Sequence, residues 1–269
     1  MDFLNTYQTI PSHINPELTQ IGFFAIRWYS IGYLLAFATI LGLIFWRISK
    51  KEFDSRELPP KKLKEVVLDV FFSGVFGMIV GARLGYFIFY DWTTLIFNFS
   101  EVFITGSNGF FGFSFHGGLI GALLGIYIYC KLKKISFEGI GNLFIPALPL
   151  GFFWGRLGNF FNGELFGHPT DKPWGMFFPT DPKTLRHPSQ LYEALGEGVI
   201  IFIVLWTIRK RDWAQGNFLS LFLILYGLIR FIIEFFRVSP PEHILLGFLT
   251  TGQVLCLAMI VGGVYIFKK

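Results

Sequence analysis

The chain has 269 residues, of which 53% are hydrophobic and 15% are charged, and its formal net charge is +5. A soluble domain usually carries about 25% charged residues, so this composition excludes an ordinary soluble protein and indicates an integral membrane protein. No basic hydrophilic stretch is long enough for a nucleic-acid-binding domain, and two distant cysteines, Cys130 and Cys256, predict no disulfide framework. The N-terminal residues 1–20 lack the basic segment and the cleavage site of a signal peptide.

Seven apolar stretches approach the length that a membrane-spanning helix requires, about 20 residues. In chain order they are residues 21–46, 66–90, 115–130, 139–162, 192–208, 217–236 and 244–267. We therefore expect an all-α polytopic membrane protein with seven transmembrane helices. No repeat or linker interrupts the chain, so residues 1–269 are predicted to form a single membrane-embedded domain.

Basic residues predict the topology. Segments after the first, third, fifth and seventh spans hold 15 of the 23 Lys and Arg residues, and the segments on the other side hold four. Because cytoplasmic loops carry the excess of positive charge, we expect the N-terminus outside and the C-terminus inside. Residues 163–191 are then an extracytoplasmic loop, and their many glycines and prolines predict an irregular, interfacial segment.

With this topology, six of the seven spans place polar or ionisable residues at the depth of the outer leaflet. Ionisable residues inside a membrane are costly and usually functional. In span order they are Arg27, Tyr29 and Tyr33; Arg83 and Tyr86; His116; Arg156, Asn159, Asn162 and Glu164; Gln190, Tyr192, Glu193 and Glu197; and Arg230, Glu234 and Arg237. Asp69 alone lies near the inner side, and the seventh span offers only Thr250, Thr251 and Gln253.

Helical spacing places some of these residues on common faces. Tyr226, Arg230, Glu234 and Arg237 are four, four and three positions apart, so they share one face of the sixth span. The pair Arg156 and Asn159 likewise shares a face of the fourth span. Glycines at positions 155, 158, 163 and 167 would let another backbone or a lipid headgroup approach closely.

The acidic residues and the glycine-rich stretch also have purely structural interpretations. Arg230 and Glu234 could be an ion pair within one helix, and Glu193 and Glu197 could be hydrogen-bond partners between helices. The stretch 155–159 could mark only a close helix crossing, although Asn162 and Glu164 would then lack an explanation.

The remaining polar residues have similar alternatives. Arg27 is best explained as an anchor whose side chain reaches the interface, and this explanation stays open for Arg83 and Arg237. His116, taken alone, would be a hydrogen-bonded structural histidine. The glycines at 117, 118, 121 and 125 are expected to pack against another helix.

Several arginines at headgroup depth, on different helices, predict a binding site for phosphate, because a guanidinium group presents a rigid fork of donors and stays charged. Asn159 and Asn162 could bond to ester or hydroxyl oxygens of a phospholipid, and a histidine could transfer a proton. The histidines show no metal-ligand spacing and no nucleotide-type phosphate loop is present, so we predict neither metal nor cofactor. These residues alone indicate an enzyme or a transporter that handles an anionic phospholipid.

The stretch 155–167, GRLGNFFNGELFG, resembles the signature of the bacterial prolipoprotein diacylglyceryl transferases, and every fixed position of that signature matches. Segments 27–29, 80–86, 115–118, 187–193 and 226–237 also resemble motifs of that family, in the family's order. The similarity covers nearly the whole chain.

This resemblance implies an enzyme that moves the sn-1,2-diacylglyceryl group of phosphatidylglycerol to the lipobox cysteine thiol of a preprolipoprotein signal peptide. The products are a thioether-linked diacylglyceryl protein and glycerol 1-phosphate, in the first step of lipoprotein maturation. The implied location is the bacterial cytoplasmic (inner) membrane, among membrane lipids, with the active site facing the outer leaflet. A phospholipid transporter or flippase is the alternative, but it would need polar groups toward the inner leaflet, where only Asp69 lies; a structural subunit would leave the outer-leaflet arginines unexplained.

The resemblance also implies roles for individual residues. Arg156 and Arg230 would clamp the phosphate and stabilise the charge of the leaving glycerol phosphate, and His116 would deprotonate the thiol. The predicted lipid-binding residues are Tyr29, Arg83, Asn159, Asn162, Glu164, Gly167, Tyr226, Glu234 and Arg237, of which Tyr226 and Glu234 would orient Arg230. A thiol that ionises unaided beside an arginine-polarised phosphate is the alternative to His116 as the base.

Overall fold

Helices dominate the computed structural model, which describes residues 3–22, 24–53, 58–102, 112–238, 244–245 and 249–267. The helices are α1 (Phe3–Gln8), α2 (Ile10–His13), α3 (Trp28–Ser49), α4 (Leu63–Tyr90), α5 (Trp92–Phe97), α6 (Phe115–Lys133), α7 (Phe137–Phe144), α8 (Leu148–Phe161), α9 (Ser189–Glu193), α10 (Ile201–Ile208), α11 (Phe218–Ile233) and α12 (Thr251–Ile266). In this part of the chain they are accompanied by three antiparallel hairpins: β1 (Glu17–Ile21) with β2 (Phe24–Arg27), β3 (Met176–Phe178) with β4 (Asp181–Arg186), and β5 (Ile244–Leu245) with β6 (Leu249–Thr250). The predicted helical class is confirmed.

Within the described residues, four stretches of helix are long and apolar enough to cross a membrane: Trp28–Ser49, Leu63–Ile88, Ser189–Ile208 and Phe218–Phe236. The third joins α9 and α10 through a π-helical segment, Ala194–Ile200, and is called the composite helix below. Large apolar side chains are exposed along α4, with Phe72 at 62% and Phe76 at 71%, as lipid-facing residues would be. These stretches match the first, second, fifth and sixth predicted spans, and membrane crossing by the other three stays a prediction.

The fourth predicted span, 139–162, is not one helix. α7 ends at Phe144, α8 begins at Leu148, and the turn between them contains Pro146. Pro149 follows in the first turn of α8, where a missing N–H costs no helical hydrogen bond. The prediction of a continuous helix is therefore wrong, and the two prolines give the physical reason.

Two other predicted spans begin later than their apolar runs. The β1–β2 hairpin precedes α3, which begins at Trp28 rather than at residue 21. The β5–β6 hairpin precedes α12, which begins at Thr251 rather than at residue 244. Residues of either hairpin are apolar enough to extend the hydropathy pattern, which cannot distinguish a short strand from a helix end.

The chain divides into two compact units, Met1–Glu52 with Gly141–Lys269, and Phe53–Ile140. A single membrane-embedded domain stays a prediction. In the smaller unit, α4 and α6 approach through glycines: a Cβ atom added to Gly121 would lie 2.1 Å from the carbonyl oxygen of Gly77, and one added to Gly81 would lie 2.4 Å from that of Gly117. The predicted packing role of the α6 glycines is confirmed.

Asp69, the residue predicted near the inner side, has a partner within the smaller unit. The hydroxyl of Tyr129 on α6 donates to Asp69 Oδ2 over 2.7 Å. A hydrogen bond between neighbouring helices thus accounts for this carboxylate.

In the larger unit, α8 packs against α3 and against the composite helix, and α11 packs against α12. A Cβ atom added to Gly32 of α3 would lie 2.9 Å from the carbonyl oxygen of Trp154, so α3 and α8 are in close contact. Buried apolar residues fill the space between α8, the composite helix and α11: Ile145, Ile201, Leu205, Ala214 and Phe218. This packing holds the site residues of three helices together.

The segment 163–191 is more regular than predicted. Strands β3 and β4 pair within it, and Phe178 is fully buried against Phe160 at the end of α8. The ring of Phe166 stacks on that of Phe178 with centroids 4.9 Å apart. The prediction of an irregular segment is therefore wrong for the hairpin, where these apolar side chains form a small core, whereas residues 163–175 contain no regular strand or helix.

Candidate active site

Glu193, in the composite helix, is the centre of a buried ion network. Its side chain is fully buried, and its carboxylate contacts three guanidinium groups. Arg156 Nε, on α8, lies 3.0 Å from Oε2, and Arg237 Nη1, just after α11, lies 3.2 Å from Oε1. Arg230 on α11 donates to the same Oε1. Arg156 and Arg230, 74 positions apart in sequence, thus meet at one carboxylate.

Two further carboxylates complete the network. Glu197, also fully buried, lies 3.2 Å from Arg230 Nη1 and 3.7 Å from Arg156 Nη2. Glu234 accepts from Arg230 Nη2 over 2.8 Å, as the helical spacing predicts. Three arginines and three glutamates therefore balance in charge when all are ionised.

Glycines on either side of Glu197 let the three helices come close enough to share these ion pairs. A Cβ atom added to Gly198 would lie 2.6 Å from Phe153 Cβ on α8, and one added to Gly196 would lie 2.7 Å from Ile229 on α11. Both glycines fall within the π-helical segment, and such segments frequently occur at functional sites. The local backbone thus presents Glu197 between the two arginine-bearing helices.

The network costs desolvation energy, so stability alone does not explain it. Replacing a buried ion pair by apolar residues is often neutral or stabilising, and charges among transmembrane helices usually mark functional sites. Glu193 and Glu197 were not among the predicted site residues. One signal could have identified them: several arginines at one depth require counter-charges, and two glutamates four positions apart on a neighbouring span can supply them.

Tyr226, predicted to orient Arg230, lies one helical turn before it on α11. Its ring packs against Phe152 on α8 with centroids 5.7 Å apart, and against Phe222 with centroids 5.6 Å apart. The contact with Phe152 helps to hold α8 and α11 together next to the ion network.

The signature stretch turns back on itself directly after α8. Gly163 and Leu165 adopt positive φ angles of 66° and 59°, which reverse the chain. Glu164 Oε1 then accepts hydrogen bonds from Asn159 Nδ2 over 2.8 Å and from Asn162 Nδ2 over 3.4 Å. The structure thus brings three predicted lipid-binding residues together, and the glutamate fixes the direction of both amide groups.

Gly167 lies between two other backbone segments. Its N–H donates to the carbonyl oxygen of His187 over 2.8 Å, and the following N–H of His168 donates to that of Phe236 over 2.9 Å. A Cβ atom at Gly167 would lie 2.1 Å from the Phe236 oxygen, so only glycine fits here. Gly167 also pairs with Arg237, which ties the end of the signature stretch to the end of α11.

His187 belongs to one of the family-like segments but was not among the predicted site residues. Its Nδ1 lies 3.0 Å from the hydroxyl of Tyr192. Burial lowers the pKa of its imidazole, and the neighbouring His168 and Lys172 add to the effect. The backbone carbonyl of His187 accepts the hydrogen bond from the N–H of Gly167.

Tyr29, at the start of α3, faces the signature stretch across the α3–α8 contact. A Cβ atom added to Gly158 would lie 3.0 Å from Tyr29 Cδ2, so the glycine makes room for this ring. The Tyr29 hydroxyl lies 2.9 Å from that of Tyr33, one turn further along α3.

A cavity of about 330 Å³ opens beside the signature stretch. It is lined by Asn162 and Glu164 from the signature stretch and by the segment before α3. That segment contributes Asn15, Pro16, Glu17 and Arg27. Arg27 and Glu17 form an exposed ion pair of 3.4 Å across the β1–β2 hairpin, so Arg27 has a partner besides its predicted role as an anchor.

Arg83 and His116 belong to the smaller unit. Arg83 Nε donates to the carbonyl oxygen of Val102 over 2.6 Å, and its guanidinium group lies 4.8 Å from the ring centroid of Phe87. His116 is exposed in the first turn of α6, which Ser114 caps by accepting from the N–H of Gly117. Arg83 therefore holds the segment after α5, and His116 lies at an accessible helix end.

A mostly helical chain, with helices suited to a membrane and a buried arginine–glutamate network at their ends, defines an integral membrane protein with an internal polar site. A family profile described as prolipoprotein diacylglyceryl transferase matches residues 16–268. The chain belongs to this family, and the resemblance is confirmed.

Three relatives named phosphatidylglycerol–prolipoprotein diacylglyceryl transferase show how far the similarity extends. The protein from Chlorobaculum tepidum is 43% identical, over 98% of this chain and 92% of its own length. The protein from Desulfotalea psychrophila is 40% identical, over 96% and 93% of the two lengths. The protein from Polynucleobacter asymbioticus is 41% identical, over 97% of each.

Proposed function

We propose that this protein transfers the sn-1,2-diacylglyceryl group of phosphatidylglycerol to the lipobox cysteine thiol of preprolipoproteins, with release of glycerol 1-phosphate. The observation that carries the proposal is the meeting of Arg156, from a complete family signature, with Arg230 at the buried Glu193. The names of the similar proteins, which give phosphatidylglycerol and prolipoprotein, support the same substrates.

The proposed location is the bacterial cytoplasmic (inner) membrane, with seven transmembrane helices, the N-terminus outside, the C-terminus inside and the reaction at the outer leaflet. Loops predicted inside hold 15 of the 23 basic residues, which supports this orientation. Four helices in the described part of the chain have the required length and apolarity. The ion network then lies near the outer ends of α8 and α11, where phospholipid headgroups are available.

In the proposed reaction, the thiolate sulfur attacks C3 of the glyceryl group. The sulfur–carbon bond forms, the bond between C3 and the phosphate oxygen breaks, and its electron pair leaves on glycerol 1-phosphate. Arg156 and Arg230 stabilise the charge that develops on this leaving group, which can be worth several kcal/mol in a dry site. The thiol proton passes to a base, for which His116 is proposed.

The glutamates give the arginines a fixed orientation before substrate binds. Arg156 contacts Glu193 and Glu197 through Nε and one Nη atom, and a guanidinium group has five N–H donors in total. Its side chain is 20% exposed and that of Arg230 is 12% exposed, so both remain within reach of a ligand. Donors held in place in this way need no reorganisation as the leaving-group charge develops.

The lipid glycerol is proposed to lie against the signature stretch. Glu164 and Asn162 line the cavity, and the Glu164 carboxylate can accept hydrogen bonds from headgroup hydroxyls. Asn159, which donates a hydrogen bond to Glu164, and Tyr29, which packs against Gly158, are proposed to form the rest of this side of the lipid site. Gly167, Tyr226, Glu234 and Arg237 support it through the contacts described above, and Arg83 is proposed as a further lipid ligand.

The decisive experiment combines the purified protein with phosphatidylglycerol and a lipobox peptide, and a peptide with serine in place of the lipobox cysteine is the control. We expect a thioether-linked diacylglyceryl peptide and an equal amount of glycerol 1-phosphate, and no product from the control. Absence of thioether product, together with lipid movement between the leaflets of reconstituted vesicles, would contradict the proposal and favour a transporter.

The base is tested separately. We expect His116→Asn to lower turnover while phosphatidylglycerol binding is kept. Near-full turnover of His116→Asn, with activity lost in Arg156→Ala, would exclude His116 as the base and leave the unaided thiolate.

A further inference from the structure

The carboxylate of Glu234 is held from two sides. Arg230 Nη2 donates to Oε2 over 2.8 Å, and the hydroxyl of Thr250 donates to Oε1 over 3.2 Å. Thr250 is the residue that caps the N-terminus of α12. Glu234, itself buried, therefore links the ion network to the N-terminus of α12.

The cap determines the direction of the threonine hydroxyl. Thr250 Oγ1 accepts from the N–H of Gln253 over 3.1 Å, and Gln253 Oε1 accepts from the N–H of Thr250 over 3.0 Å. A hydroxyl has a single proton to donate. Since this reciprocal cap occupies the oxygen as an acceptor, the proton is left to point at Glu234.

Gly252 provides the space in which the carboxylate lies. A Cβ atom added to this residue would lie 2.6 Å from Glu234 Oε1 and 2.9 Å from its carboxyl carbon. The first turn of α12 is also where the helix dipole favours a negative charge. A side chain at this position would have to displace Glu234 from its present contacts.

We propose that Thr250 and Gly252 are positioning residues for Arg230, acting through Glu234. The N-terminal turn of α12 fixes the carboxylate of Glu234. This carboxylate in turn fixes the guanidinium group of Arg230, which is proposed to contact the phosphate. This inference rests on the proposed function, in which Arg230 stabilises the leaving glycerol phosphate. Neither Thr250 nor Gly252 is proposed to touch the substrate.

The first test compares two glycines of α12 in the transferase assay with phosphatidylglycerol and a lipobox peptide. Gly252→Ala is expected to lower kcat by roughly 10- to 100-fold, because a misplaced catalytic group loses transition-state stabilisation. Gly262→Ala is the matched control, since a Cβ atom there meets no atom of the described residues within 4 Å. Its kcat is expected to stay within about twofold of the wild type.

A second pair of variants keeps the test decisive if Gly252→Ala does not fold. Thr250→Val keeps the shape but removes the hydroxyl, and is expected to lower kcat about tenfold. Thr250→Ser restores the donor and is expected to restore kcat. In a Glu234→Gln background, Thr250→Val should cost little further activity, because the interaction acts through that carboxylate.

The outcomes separate this inference from the proposed function. If the wild type forms no thioether product, the proposed function is wrong and the positioning role falls with it. If the wild type is active and both Gly252→Ala and Thr250→Val keep wild-type kcat, only the positioning role is wrong. An equal loss from Thr250→Val with and without Glu234→Gln would also overturn it, since the threonine would then act by another route.

Discussion

The chain joins its helices in two different ways. In the smaller unit, α4 and α6 are in backbone contact, with Gly77 and Gly81 facing Gly117 and Gly121. In the larger unit, α8, the composite helix and α11 meet around the buried glutamates and their arginines. The first contact uses small residues and dispersion, whereas the second uses ion pairs that must be desolvated.

This difference distinguishes a structural contact between α4 and α6 from the candidate active site in the larger unit. Glycine contacts hold two helices together at little cost, so the protein does not need buried charge to associate its helices. Charge is used where α8 and α11 carry the predicted catalytic arginines, and the glutamates keep those arginines oriented and balanced. The costly contact is therefore the one that we assign to catalysis.

The largest effect on stability is expected from the ion network. Glu193→Gln leaves three arginines with two carboxylates, and an uncompensated buried charge should cost about 3–5 kcal/mol of unfolding free energy. Transfer activity should be lost as well. Unfolding in detergent and thioether formation measure the two effects.

Glu17→Gln is the matched control for stability. Its ion pair with Arg27 is largely exposed, so its removal should cost at most about 1 kcal/mol. Equal losses of unfolding free energy for Glu193→Gln and Glu17→Gln would show that the buried network contributes no more to stability than an exposed ion pair.

A smaller effect is expected from the glycine contact, graded by what an added methyl group would meet. Gly121→Ala meets a carbonyl oxygen at 2.1 Å and should cost about 1–3 kcal/mol through overpacking. Gly74→Ala meets only the end of the Ile126 side chain, at 3.1 Å, and should cost less. Gly42→Ala, with no atom of the described residues within 4 Å, should be neutral or stabilising by up to about 1 kcal/mol. Equal melting temperatures for the three variants would contradict the backbone contact.

The smallest effect is expected from the β3–β4 hairpin and depends on pH. Hydrogen bonds from Arg186, at 2.8 and 2.6 Å, and then from Thr184, lower the pKa of Asp181. A carboxyl group with a lowered pKa stabilises the fold above its ordinary pKa, near 3.9, and this stabilisation is lost as the pH falls through the folded-state pKa. Pepsin should therefore cleave the wild-type hairpin faster as the pH falls below about 4.

Asp181→Asn removes the ionisation that causes this dependence. The cleavage rate of the variant should no longer rise through loss of this ion pair as the pH falls. It should match the rate of the wild type at acidic pH. A wild type and a variant with the same pH profile would show that the ion pair with Arg186 does not stabilise the hairpin.

Much of the fold and part of the site could be predicted from the sequence. Apolar runs gave α3, α4, the composite helix and α11, because hydrophobic length is a strong signal in membrane proteins. Topology and helical spacing placed Arg230 and Glu234 on one face, and the structure has them in contact. The family signature identified Arg156 and its neighbours.

Other features depend on contacts that the sequence does not encode locally. Glu193 and Glu197 face two helices at once only because Gly196 and Gly198 allow a close approach within a π-helical segment. The positioning role of Thr250 and Gly252 cannot be predicted from the sequence, because it depends on the packing of α12 beside Glu234. The break at Pro146, by contrast, is predictable from the sequence, because proline cannot donate the backbone hydrogen bond of a helix interior.

Arg156 and Arg230 are proposed to act on the lipid phosphate and to do more than neutralise the buried glutamates. The direct measurement is kcat for Arg156→Lys, Arg230→Lys and the double variant, with Arg186→Lys on the hairpin as control. Lysine keeps the positive charge but loses the guanidinium fork, so we expect folded proteins, losses of about 100-fold in each single variant and a double variant hardly worse than either. Near-wild-type kcat in both single variants would contradict the claim and reduce the network to a structural role.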